Sequence, residues 1–339
     1  MNNILRRYRC FWVVMTVVIA GLFVLNLLTG SVRIPVADII GILTGQETDK
    51  ETWRYIVLET RLPQACTALL CGAALAVCGL LLQTAFRNPL AGPGVFGITN
   101  GAGLGVALVM LLLGGGVSSA LLQVSGFLAI ILAAFIGAMA VTGLLFLFST
   151  MVRNSVMLLI VGMMTGYLSS SAIALLNYVA TEEGVRSYML WGMGSFGGVS
   201  MHHLPLFAVL TIIGIAGALV LMKPLNAWLL GDLYAENLGI DIRRLRNRLL
   251  LVTGVLCAVT TAFCGPVTFI GLAVPHIARL LIGTENHRML MPATLLTGAA
   301  IALLCSWVCM LPAGATIPLN AVTPLIGAPV IIYVIIRRG

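Results

Sequence analysis

Apolar stretches broken by short polar segments run along the whole chain of 339 residues. A helix needs about 17 to 25 apolar residues to cross a bilayer. The pattern predicts ten such spans, at roughly 11–28, 63–83, 93–113, 125–150, 155–180, 203–223, 248–264, 267–282, 292–311 and 322–336. The eighth is the weakest, because Pro266 and Pro275 bracket it and Gly271 interrupts it; nine spans is the competing count. Three polar connections are longer than turns. Residues 29–62 contain the amphipathic piece VADIIGIL, residues 181–202 form the second, and residues 231–250 the third.

Composition makes lipid the solvent of this pattern. Hydrophobic residues make up 60% of the chain and charged residues only 9%, against about 25% charged in a soluble domain. The predicted class is an all-α polytopic membrane protein, folded as a single transmembrane domain over 1–339. The first apolar run, Phe11 to Leu28, is longer than the about 7 to 15 residues of a signal-peptide core, and no small-residue cleavage site follows it. It reads as the first span. With the N-terminus inside, 14 of the 19 basic residues lie inside, among them Arg87, Arg153, Arg243, Arg244, Arg246 and Arg248. The other five, Arg33, Lys50, Arg54, Arg61 and Arg186, lie outside. Basic residues collect on the cytoplasmic side, so both termini are expected there, in the cell inner membrane. Nine spans would leave Arg337 and Arg338 outside. The net charge of +8 follows from this topology and calls for no nucleic-acid partner.

Between spans, small residues should let helices approach, since lipid offers helices no hydrophobic reason to associate. Gly97, Gly101 and Gly105 fall at four-residue spacing, and Gly162 and Gly166 repeat the pattern. All eight cysteines lie in or beside spans, which reads as packing. Cys305 and Cys309 share a helix face, but no metal or other cofactor is expected.

The third polar connection, GDLYAENLGIDIRRLRNRLL, reads as a short helix, a glycine turn and a basic helix entering the next span. Asp232 and Asp241 are N-cap candidates and Gly239 a helix stop. Leu233, Ala235 and Leu238 offer an apolar face to the cytoplasm, with Glu236 beside them. Such a helix suits docking into a partner's groove, although an ordinary charged loop fits the pattern too. The chain has no lysine in a phosphate-cradling loop and no carboxylate deep in a span to relay protons. An ion-coupled secondary carrier, the alternative, is disfavoured on that ground. No His/Asp/Glu or Ser/His cluster suggests an enzyme, so energy is expected from another subunit.

Taken together the motifs resemble a family, the FecCD-type permease subunits of ABC importers for iron-siderophores, haem and cobalamin. The matching stretches are RLP (61–63), GAALAVCGLLLQTAFRNPLAGPGVFGITNGAGLG (72–105), WGMGSFGG (191–198), GDLYAENLG (231–239), GPVTFIGLAVPHIARL (265–280) and VTPLIGAPVIIYVI (322–335). The resemblance implies ten transmembrane helices, with a cytoplasmic coupling helix between the sixth and seventh (coupling segment 231–247). It also implies a second permease subunit, as a homodimer, two cytoplasmic ATPase subunits and a solute-binding protein docked outside. It places Asn88, Pro89, Leu90 and Ala91 at the inner gate of the pathway, with Ser155 near a second gating region. It assigns Asp232, Leu233, Ala235, Glu236, Leu238 and Gly239 to ATPase coupling. Outer arginines are expected to meet the binding protein, with Arg61 the first candidate and Arg54 and Arg186 next. Gln64 stands where the family often has an arginine, and Ser306 and Met310 stand for an Asp and an Arg. His276, three residues before Arg279, reads as a structural histidine at a broken helix. His202 and His203 lie outside, where a haem-like ligand would pass.

Overall fold

The computed structural model describes residues 2–45, 50–112, 126–152, 155–311 and 316–338, without the side chains of residues 2–6, 155, 335, 337 and 338. Among them the secondary structure is helical throughout. In chain order the helices are α1 (Asn2–Leu28), α2 (Val36–Leu43) and α3 (Glu51–Tyr55), the last running through a π-helical turn, Ile56–Arg61, into α4 (Leu62–Phe86). Then come α5 (Ile98–Ala107), extended by a π turn Leu108–Leu112, α6 (Gly126–Met151), α7 (Ser155–Val179) and α8 (Glu182–Gly192). The rest are α9 (Leu204–Val220), α10 (Met222–Trp228), α11 (Asp232–Asn237), α12 (Ile242–Cys264), α13 (Ile270–Ile282), α14 (His287–Cys309) and α15 (Leu319–Arg338).

Each of the ten apolar stretches holds a helix, but their lengths differ. Six described helices are long and apolar enough to cross a bilayer, and α9 with α10, bent by 43°, makes a seventh if the pair is one span. The segments Ile98–Leu112, Ile270–Ile282 and Leu319–Val334 are shorter. All three long polar connections carry helices of their own. The amphipathic piece is α2, whose Ile39 and Ile42 pack with Ile34 and Val57 in a satellite core. The second span begins earlier than its apolar run suggests, because Glu51–Phe86 is one 36-residue helix. Within 181–202, Thr181 caps α8 by accepting from Gly184 N at 3.3 Å.

At the centre stands α4, buried from Cys71 to Phe86 without a break and packed by α14, α13, α12 and α9. Its sequence is apolar all round, as a helix with no solvent face must be. Small residues bring its neighbours to backbone contact. A Cβ on Gly72 would sit 2.3 Å from the Gly298 carbonyl oxygen of α14, and one on Gly79 only 1.6 Å from that of Gly271 in α13. Pro275 has no N–H to give to the Gly271 carbonyl one turn back, so this freed oxygen is the group that faces α4. A second layer joins α5 to α6. There a Cβ on Gly101 would meet the Gly137 carbonyl oxygen at 2.6 Å, and one on Gly105 the Ala133 oxygen at 2.1 Å. Gly97, at φ +71, lies instead against Gly162 and Gly166 of α7. The three glycines therefore meet two different helices rather than one.

α1 closes the bundle. Arg7 donates to the Leu280 and Leu281 carbonyls at 2.7 Å each, covering the C-terminal end of α13. Asn26, buried, donates to the Leu303 carbonyl of α14 at 3.0 Å.

Candidate functional site

The segment following α4 is a compact turn. Pro89 cannot continue the helix, and Arg87 leaves it in the left-handed region, at φ +45. The Asn88 side-chain oxygen accepts from Leu90 N at 2.9 Å, while its backbone carbonyl accepts from Ala91 N at 3.1 Å. Ala91 is fully buried and Leu90 is 44% exposed. The Pro89 carbonyl lies 2.8 Å from His276 Nε2 of α13. A carbonyl can only accept, so Nε2 carries the proton. His276 is thus a structural residue with a specific task, holding this turn against α13. Arg279, one turn on, donates to Gln83 Oε1 of α4 at 2.6 Å and to Glu285 at 2.9 Å.

Beside the turn lies α11. Asp232 does not cap it: the side chain instead accepts from Trp228 Nε1 at 2.8 Å and from the Arg87 guanidinium. The reason is local. Trp228 is 4% exposed, and a buried indole N–H needs an acceptor. Ala235 also departs from the expected exposed face, being fully buried and facing inward. Leu233 (78% exposed), Tyr234 and Leu238 form the outward face, with Glu236 exposed next to them. Gly239, at φ +80, ends the helix as expected, and Ile240 N returns to the Ala235 carbonyl at 3.0 Å. Asp241 caps α12 by accepting from Arg244 N at 3.0 Å.

A cavity of about 910 Å³ separates these elements, with Phe86, Arg87, Trp228, Asp232, Arg243 and Arg246 in its wall. Two of its arginines stabilise the C-terminal end of α6, where carbonyls lack helical partners. Arg243 donates to the Thr150 carbonyl, and Arg246 to those of Ser149 (3.5 Å) and Val152 (3.4 Å). Ser155 opens α7, and its side chain lies outside the described residues.

The opposite end holds the other expected residues. Arg61 is 4% exposed, unlike a docking cation. Its guanidinium donates to the carbonyls of Leu27 (2.8 Å), Leu28 (3.3 Å) and Val32 after α1. Arg54 and Arg186 are exposed, on α3 and α8. Gln64 and Ser306 lie 3.5 Å apart and share a cavity of about 460 Å³ with Met310. Asn320 went unnoticed in the sequence. Its side chain donates to the carbonyls of Gly192 (3.0 Å) and Pro266 (2.6 Å), and accepts from Thr268 N and Oγ1 at 3.1 and 3.2 Å. One amide thus fastens the end of α8, the loop before α13 and the start of α15. His202 and His203 stack edge to face, with Phe127 on His203. No group of three or more His, Cys, Asp or Glu suited to a metal occurs among the described residues.

A helical bundle built on close glycine contacts, with a turn held against α13 and a short exposed helix beside it, suits a membrane permease. The chain belongs to the FecCD transport family, whose model matches residues 17–337. It is 36% identical over 288 residues to the vitamin B12 import system permease protein BtuC of Klebsiella pneumoniae, which spans 84% of each chain. To BtuC of Escherichia coli K12 it is 37% identical over 284 residues, again 84% of each. Among solved structures, an inward-facing metal-chelate type ABC transporter matches with TM-score 0.84 and 30% identity, over 97% of this chain and 99% of the other. PsaBC from Streptococcus pneumoniae, at TM-score 0.53 and 14% identity over 88% and 95%, shares the fold. The protein is accordingly the permease subunit of an ABC importer, a transport component and not itself an enzyme.

Proposed function

We infer that the chain crosses the inner membrane ten times with both termini in the cytoplasm. Two copies form the pathway for a large metal chelate, cobalamin, haem or an iron-siderophore, delivered by a solute-binding protein. Two cytoplasmic ATPase subunits drive it. The short helices α5, α13 and α15 complete the ten crossings. The bias of basic residues towards α11 and the turn Asn88–Ala91 supports a cytoplasmic position for both. The relatives' named cargo, vitamin B12, supports the chelate class.

The observation that carries this reading is the outward face of α11. Leu233, Tyr234 and Leu238 are 78%, 50% and 59% exposed on a helix too short to enter lipid, next to a cavity lined by arginine and carboxylate. An apolar patch in that setting fits a partner's groove. Leu238→Asp puts a charge into the contact without touching a span. A carboxylate buried there without a partner costs several kcal/mol, enough to release a partner held at micromolar affinity. The variant should insert normally but fail to retain the cognate ATPase on co-purification. Normal retention with normal uptake would remove α11 from the coupling role.

A further inference from the structure

The turn after α4 is fixed at two points, to two different elements. Its Pro89 carbonyl is held by His276 of α13 at 2.8 Å, and His276 is 3% exposed. Its first residue, Arg87, is paired with Asp232 of α11. The Asp232 oxygen that takes this pair, Oδ1, is the one that accepts from Trp228 Nε1. Trp228 in turn is packed in the main core. The first anchor reaches the exposed Pro89 from a buried histidine. The second lies at the surface, where Arg87 and Asp232 are 58% and 56% exposed.

Two features argue that the Arg87–Asp232 pair contributes little to stability. An ion pair this exposed adds little to folding, because water and salt screen it and two side chains lose freedom in forming it. Moreover Arg87 stands at φ +45, where a side chain is strained and glycine is the usual choice. A glycine would stop the helix equally well, but only a long cationic side chain reaches Asp232.

We propose that Arg87 and Asp232 form the tie through which α11 moves the turn. This rests on the permease reading above and adds the residues that carry the motion. When a docked ATPase displaces α11, the pair pulls on Arg87 while the His276–Pro89 bond holds. The turn pivots about that bond, and Leu90 shifts. Arg87 and Asp232 are positioning residues in this scheme: they touch no cargo and set where Leu90 stands. Trp228 keeps the Asp232 carboxylate aimed at Arg87.

The test places an environment-sensitive fluorophore at Leu90→Cys, in a chain whose accessible thiols are removed by Cys10→Ser and Cys66→Ser. The full permease is assembled with its cognate ATPase in proteoliposomes. The readout is the spectral change on adding ATP or a non-hydrolysable analogue, which needs no knowledge of the cargo. The unmodified pair should give a clear nucleotide-dependent change. Its absence there, with the ATPase bound, would refute the gate-and-coupling reading itself. Given that change, Arg87→Ala and Asp232→Asn should each shift the nucleotide-driven equilibrium at position 90 by about 5-fold or more, the lower end of measured coupling between sites. The double variant should be no worse than either single one, since both remove the same tie. Arg87→Gln keeps the side chain long and polar, so it should assemble even if the alanine variant does not, and it should lose the response equally. An undiminished change in Arg87→Gln, or losses that multiply in the double variant, would overturn the tie.

Discussion

Gly79→Ala adds one methyl group to the most closely packed point between α4 and α13. The new carbon would sit 1.6 Å from the Gly271 carbonyl oxygen and 2.5 Å from its carbon. Both are backbone atoms, so no rotamer change gives relief. Ordinary contact requires the two helices to part by about 2 Å, and a gap of even about 0.5–1 Å forfeits a quarter to a half of each atomic attraction. Overpacking a filled core typically costs about 1–3 kcal/mol, and this site belongs at the upper end. In lipid, that packing attraction is the main force between helices. Gly143→Ala is the matched control, since Gly143 lies in α6 with nothing within 4 Å of its added carbon. Thermal unfolding of the purified protein in detergent, followed by fluorescence, reads the difference. At roughly 2 °C per kcal/mol for a chain of this size, Gly79→Ala should melt about 6 °C below the control. Equal melting temperatures would refute the close α4–α13 contact and the role given to Pro275 in freeing the Gly271 carbonyl.

Other substitutions test the opposite end of the bundle. Arg61→Ala should lower stability by about 1–3 kcal/mol, because it strips three carbonyls of their donor; the check is the same melt. Affinity for the binding protein should keep its salt dependence in that variant, which a docking Arg61 would not allow. Asn320→Ala removes four hydrogen bonds. It should cost about 2–4 kcal/mol and raise amide exchange around Gly192 and Thr268 by at least tenfold, while unchanged exchange would show that other contacts hold those loops.

The helices were legible because hydropathy reports the solvent, and in lipid a continuous apolar run admits little besides a helix. Asp241 and Gly239 were legible for a different reason: a cap and a left-handed stop are local events decided within a few residues. The residues misjudged are those whose partners lie far along the chain. Arg61 looked like a surface charge because the carbonyls that receive it come from residues 27–32. Asp232 looked like an N-cap because its sequence neighbours suit one, yet Arg87, far upstream, claims it. Gly79 makes a closer contact than any in the stripe at Gly97, Gly101 and Gly105, and Gly72 makes one of similar closeness. Gly79 has Leu75 and Gln83 at four-residue spacing, so no stripe marks it; Gly72 lies between Ala68 and Ala76, and each of the two is matched by a glycine on another helix. A lone glycine such as Gly79 gives no sign of the surface it meets.

The bonds from α1 also set a schedule for synthesis. Asn26 is made early, but the Leu303 carbonyl that receives its amide follows 277 residues later. At about 5–20 residues per second, the first helix waits some tens of seconds in the bilayer with its amide lacking that partner. Arg7 waits nearly as long for the end of α13. The nascent chain must therefore hold its first span in a provisional place, against lipid or the insertion machinery, until the ninth apolar stretch arrives. A ribosome stalled before Leu303 should leave α1 open to crosslinking by that machinery, and release past α14 should end the exposure.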